Sequence, residues 1–120
     1  MSTKHILIID NELIIRDIFA HLLSDNGYDI QSAKSNDEAL VFLNQFNFDL
    51  ILADVHMEGT SFSVFISSLK SNEKFKHIPI VAVTGAPELI DRNDRNQIEC
   101  VLEKPFTPEA LVQNVQLILQ

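Results

Sequence analysis

The sequence predicts a doubly wound α/β domain: a five-stranded parallel sheet with helices on both faces. Three observations lead there. Apolar runs of strand length recur without alternation, which is how strands buried on both faces read. Helical patterns fill the gaps between them, and parallel strands need such crossovers. Four of the runs end in Asp, Thr or Lys, as suits strands whose carboxyl ends open onto a ligand-binding rim.

Each element has its own grounds. His5–Asp10 (HILIID), Asp49–Asp54 (DLILAD), Ile78–Thr84 (IPIVAVT) and Glu99–Lys104 (ECVLEK) are the strong strands, rich in Ile, Val and Leu. Tyr28–Ala33 follows the Asn26-Gly27 turn and is predicted from that position. Glu12–Ser24 reads as a helix, with Leu13, Ile14, Phe19, Leu22 and Leu23 recurring and Gly27 as the stop. Asn36–Phe46 carries Ala39, Leu40, Leu43 and Phe46 on one stripe, with Ser35 or Asn36 as its cap. Phe62–Lys70 follows the third strand. Pro87–Asn96 opens on a proline suited to a first turn but is very polar. Thr107–Leu119 opens Thr-Pro-Glu and carries Leu111, Val112, Val115, Ile118 and Leu119.

The chain has 120 residues, one domain's worth, and 1–120 is expected to be a single domain. Its net charge of −8 with only nine Lys and Arg argues against direct nucleic-acid binding and against an anionic membrane surface. It suits protein partners or a metal ion. The single cysteine, Cys100, leaves no internal disulfide and reads as a small core residue. MSTK runs straight into the first strand, with no leader pattern and no window long enough to span a membrane. The expected location is cytoplasmic.

The strand ends carry the chemistry. The first delivers Asp10, then Asn11 and Glu12; the third delivers Asp54; the fourth Thr84 and Gly85; the fifth Lys104 and Pro105. Taken singly, such an Asp is usually a turn or cap residue and such a Thr merely suits a strand. All four on one rim form a functional set. Oxygen ligands from Asp10, Asn11 and Asp54 suit a hard cation such as Mg²⁺. A carboxylate beside a metal can attack phosphorus and form an acyl phosphate. Lys104 and the metal would neutralise the transferring group, and the Thr84 hydroxyl would bond one of its oxygens.

The segments ILIIDNE, DLILADVHMEG, IPIVAVTGA and VLEKPF together resemble the receiver domains of bacterial two-component response regulators, across essentially the whole chain. The resemblance implies the (βα)5 flavodoxin-like, CheY-like fold with strand order 2-1-3-4-5. It implies that Asp54 is the phosphoacceptor, with Thr84 and Lys104 contacting the phosphoryl oxygens. Asp10, Asn11, Asp54 and the backbone carbonyl of His56 match the metal positions for Mg²⁺, and Lys104-Pro105 matches a bond usually cis. A histidine kinase or histidine phosphotransfer protein would be the donor. The face of helix 4, strand 5 and helix 5 would carry the signal to a downstream protein target or output domain, and could form a dimer. Such a domain is not an enzyme in the ordinary sense: it catalyses only its own phosphorylation and dephosphorylation.

Three departures stand out. Asn11 replaces the second of two acids and brings no charge. Val101 stands where an aromatic switch residue is frequent. Glu58 and Ser61-Phe62 replace a frequent Pro and Asp-Gly, with Phe62 expected in the core. His56 either tunes dephosphorylation or is a spectator. His5, His21 and His77 have no metal-ligand spacing. Phe19, Phe42, Phe46, Phe65 and Phe106 are expected to pack.

The main alternative is a receiver-like binding module that signals without phosphorylation, which Asn11 and Val101 favour. An aspartate-nucleophile phosphohydrolase of the haloacid dehalogenase type would need an acid where His56 stands. A flavin site would need small residues where Asp10-Asn11-Glu12-Leu13 places carboxylates.

Overall fold

The structure is a computed structural model and describes residues 3–120. The reading of MSTK therefore rests partly on residues 1 and 2, which lie outside the described residues.

Five strands form one parallel sheet in the order β2-β1-β3-β4-β5: β1 His5–Ile9, β2 Asp29–Ala33, β3 Leu50–Asp54, β4 Ile80–Thr84 and β5 Cys100–Glu103. The order is the expected one. Asp10 and Lys104, predicted as last strand residues, stand one place beyond their strands, within the usual scatter of boundaries.

Successive side chains of a strand point to opposite faces, so each strand feeds two cores. Leu7, Ile9, Ile51, Ala53, Ile80 and Ala82 face helices α2 (Asn36–Leu43) and α3 (Phe62–Lys70). Ile6, Ile8, Leu50, Leu52, Val81 and Val83 face α1 (Leu13–Asp25) and α5 (Pro108–Leu119). Every residue of β3 and β4 is buried, whereas β2 at the sheet edge buries only Ala33. That is why β2 read weakly in sequence.

Side-chain hydroxyls cap three of the five α-helices. The Ser35, Ser61 and Thr107 hydroxyls accept from the Glu38, Val64 and Ala110 N–H groups. The cap of α2 is thus Ser35. Asn36 is instead fully buried, and its amide donates to the Thr60 carbonyl at 2.8 Å.

Three expectations are corrected. The buried face of α1 runs through Ile15, Phe19, Leu22 and Leu23, while Leu13 and Ile14 are exposed at 62% and 72%. Residues 15, 19, 22 and 23 share one face at the helix period, whereas 13 and 14 fall on the opposite side. Phe46 lies beyond the end of α2, is exposed, and meets the His5 ring edge-on at 5.8 Å. Pro87–Asn96 is not one helix. A 3₁₀ turn over Pro87–Leu89 is followed by extended Ile90, whose buried side chain joins the α2–α3 core. Asp91 then caps a fresh helix, α4 (Arg92–Arg95), by accepting from the Asp94 N–H at 2.8 Å. Burying Ile90 outweighs continuing a polar helix. Phe62 is buried, as expected.

Candidate functional site

In an open parallel sheet the ligand crevice forms where the winding reverses. Here that is between β1 and β3, and Asp10 and Asp54 stand at their carboxyl ends. Both side chains are buried. The Asp10 N–H donates to the Ala33 carbonyl at 3.1 Å, extending the ladder one residue past β1. Its Oδ1 accepts from the Glu12 N–H at 2.9 Å. The Arg16 guanidinium donates to its carbonyl at 2.6 Å. Asp54 Oδ1 accepts from the His56 N–H at 2.9 Å. That leaves Oδ2 facing Lys104.

Lys104 joins the two carboxylates. Its Nζ lies 3.5 Å from Asp54 Oδ2 and 4.0 Å from Asp10 Oδ2. Its backbone N–H donates to the Thr84 carbonyl at 2.8 Å, and the Lys104-Pro105 bond is cis, as the resemblance implied. Thr84 is fully buried; its hydroxyl accepts from the Ala86 N–H at 3.0 Å and lies 2.9 Å from His56 Nε2. The four strand-end residues therefore meet on one rim. Asn11 is exposed beside Asp10.

One ammonium faces two carboxylates, so the rim carries surplus negative charge. Burial pushes the Asp10 carboxyl above its ordinary range and the Asp54 charge adds to this, against the Glu12 N–H and Lys104. Among the described residues no three His, Cys, Asp or Glu side chains cluster as a metal site. Any cation here would need the Asn11 amide and main-chain oxygens. That donor set is all oxygen and suits a hard cation.

Away from the rim, burial raises the Cys100 thiol, reinforced by Glu99. Burial also lowers the Lys70 ammonium, which donates to the Lys76 and Ile78 carbonyls at 3.2 and 3.3 Å.

Two side-chain pairings escaped sequence reasoning. The His56–Thr84 bond spans 28 residues. The start of α2 clamps the β3–α3 loop, through the Asn36 bond and through the Thr60 hydroxyl, which donates to Asp37 Oδ1 at 2.9 Å. No local pattern marks either pairing. The only hint was that His56 stands close after Asp54.

A doubly wound sheet that gathers two buried carboxylates, a lysine and a threonine hydroxyl at its switch point belongs to a narrow class of domains. The family model for the response regulator receiver domain matches residues 6–116, and the chain belongs to that family. It is thus a domain of the response regulators of two-component systems. It is 31% identical over 119 residues to the phosphate regulon transcriptional regulatory protein PhoB of Escherichia coli K12, covering 98% of this chain and 52% of that protein. Chemotaxis response regulator CheY4 of Vibrio cholerae superposes with a TM-score of 0.89 at 27% identity, covering 98% of this chain and 99% of that one. Response regulator TrrA of Thermotoga maritima, solved in complex with Mg²⁺-BeF, superposes at 0.86 with 25% identity, covering 97% and 99%. The chain spans about half the length of the first curated relatives it matches. Among the described residues, no helix is long and apolar enough to cross a membrane.

Proposed function

We propose that residues 1–120 act as one receiver unit in which Asp54 accepts a phosphoryl group from the phosphohistidine of a histidine kinase or histidine phosphotransfer protein. The observation that carries this reading is the placement of buried Asp54 with one oxygen anchored by the His56 N–H and the other 3.5 Å from Lys104. The carboxylate oxygen attacks phosphorus, the P–N bond to the donor breaks, and the protonated donor imidazole leaves neutral. Lys104 offsets the charge on the phosphoryl oxygens, and the Thr84 hydroxyl donates to one of them. Asp10, Asn11, Asp54 and the His56 carbonyl would hold Mg²⁺, which when bound neutralises charge on the transferring group. TrrA, a structural neighbour, is described with Mg²⁺-BeF, which supports that choice of cation.

The movement of Thr84 would pass to the face of α4, β5 and α5, and from there to a downstream protein or an output domain. PhoB, of which the chain matches about half, is a transcriptional regulatory protein. The same face would serve any dimer, and the domain would act in the cytoplasm. It catalyses only its own phosphorylation and dephosphorylation.

A second reading, docking without phosphorylation, draws support from Asn11, which supplies no charge, and from half-buried Val101 on β5. Incubation with acetyl phosphate, with and without Mg²⁺, followed by intact mass separates the two. The phosphoacceptor reading expects a Mg²⁺-dependent phosphate adduct that Asp54→Ala abolishes. No adduct at any Mg²⁺ concentration favours the docking module.

A further inference from the structure

We propose that His56 is a latch on Thr84: its imidazole holds the threonine hydroxyl, and loading of Asp54 has to break that bond. The proposal rests on Asp54 being the phosphoacceptor, and it names what restrains the switch.

A hydroxyl has one proton and two lone pairs. In Thr84 the Ala86 N–H occupies one lone pair at 3.0 Å. His56 Nε2, at 2.9 Å, takes either the proton or the second lone pair, according to the ring tautomer. In the first case the only proton is spent, and a phosphoryl oxygen, which only accepts, receives none. In the second the oxygen is fixed between two donors and loses one if it shifts toward Asp54. Either way the imidazole competes with the phosphoryl group for Thr84.

His56 also touches the acceptor directly, since its N–H donates to Asp54 Oδ1 at 2.9 Å. One residue therefore bridges the phosphoacceptor and the switch threonine. The far end of the loop is anchored at Thr60 by Asn36 and Asp37, so on release the ring swings rather than the backbone. His56 is exposed, and the freed ring has water to enter. From β5, Val101 is apolar and registers with Ala82, so it offers Thr84 no competing hydrogen bond.

The test uses Mg²⁺ with beryllofluoride, a non-covalent mimic of the acyl phosphate, titrated against the parent, His56→Ala, Thr84→Val and the double variant. His56→Ala is expected to bind about three- to tenfold more tightly, the worth of one net hydrogen bond. In the Thr84→Val background that gain is expected to vanish, because the ring acts through the hydroxyl. In metal-free protein, Thr84→Val is expected to move the His56 ring nitrogen signals in ¹⁵N NMR. Unchanged affinity in His56→Ala overturns the latch alone. So does a gain that persists undiminished in Thr84→Val, which would place the ring's effect on the phosphoryl group itself. No binding by the parent, or binding that survives Asp54→Ala, overturns the phosphoacceptor reading and the latch with it.

Discussion

Replacing Asp10 by Asn should make the metal-free protein more stable while removing its response to Mg²⁺. Asp10 is 1% exposed, and burying an ion costs several kcal/mol even after relaxation. Its compensation is shared. At an effective dielectric near 20, a lysine 4.0 Å from Asp10 and 3.5 Å from Asp54 is worth about 4 and about 5 kcal/mol before desolvation. The Lys104 side chain is 33% exposed, so solvent screens both figures further and the nearer carboxylate keeps the larger share. The Glu12 N–H can still be accepted by an Asn oxygen, so the substitution removes charge and keeps the hydrogen bond. A gain of about 0.5–2 kcal/mol is expected, the size typical of relieved functional sites.

The sign with pH follows from the raised Asp10 carboxyl. The native parent holds that proton more tightly than the unfolded chain does. The parent therefore gains stability relative to the variant as pH falls through the raised range. The advantage of Asp10→Asn is full at neutral pH and shrinks toward acid. Urea unfolding at several pH values, with and without Mg²⁺, measures it. Mg²⁺ should stabilise the parent by mass action and leave the variant unmoved. A variant less stable than the parent at neutral pH without metal would mean that the Asp10 charge is net stabilising in the folded protein.

Three further outcomes are expected. If the proposed Mg²⁺ site is right, Asn11→Asp adds a charge at an exposed position beside Asp10 and should tighten Mg²⁺ binding about tenfold by calorimetry. Ser35→Ala removes the oxygen that accepts from the Glu38 N–H at 3.0 Å and should cost about 1 kcal/mol in urea unfolding. Phe65→Ala empties a fully buried position of α3 and should cost about 3–5 kcal/mol, read the same way.

The strand-end set was legible in the sequence because a parallel sheet leaves little choice. Apolar runs such as Leu50–Ala53 must be buried on both faces, so the polar residues that end them collect at one rim. The inner face of α1 differs from the expectation at its first turn, where Leu13 and Ile14 are apolar yet lie on the outer side of the helix. The break at Ile90 was hidden because Asp91 can sit inside a polar helix or cap a new one, and only the core decides. The His56–Thr84 and Asn36–Thr60 bonds join residues 28 and 24 apart, and no periodicity reports such pairs. The strand-end set was thus visible, while the contacts that hold its residues in place were not.

On the proposed function Asp54 carries the phosphoryl group. Borodeuteride reduction of protein treated with acetyl phosphate and Mg²⁺, followed by peptide mass mapping, locates it. Reduction of an aspartyl phosphate leaves homoserine where the aspartate stood. Deuterated homoserine is expected at position 54 and at no other acid, dependent on Mg²⁺. Label at another carboxylate, or none at position 54 in protein that shows a phosphate adduct, would contradict it.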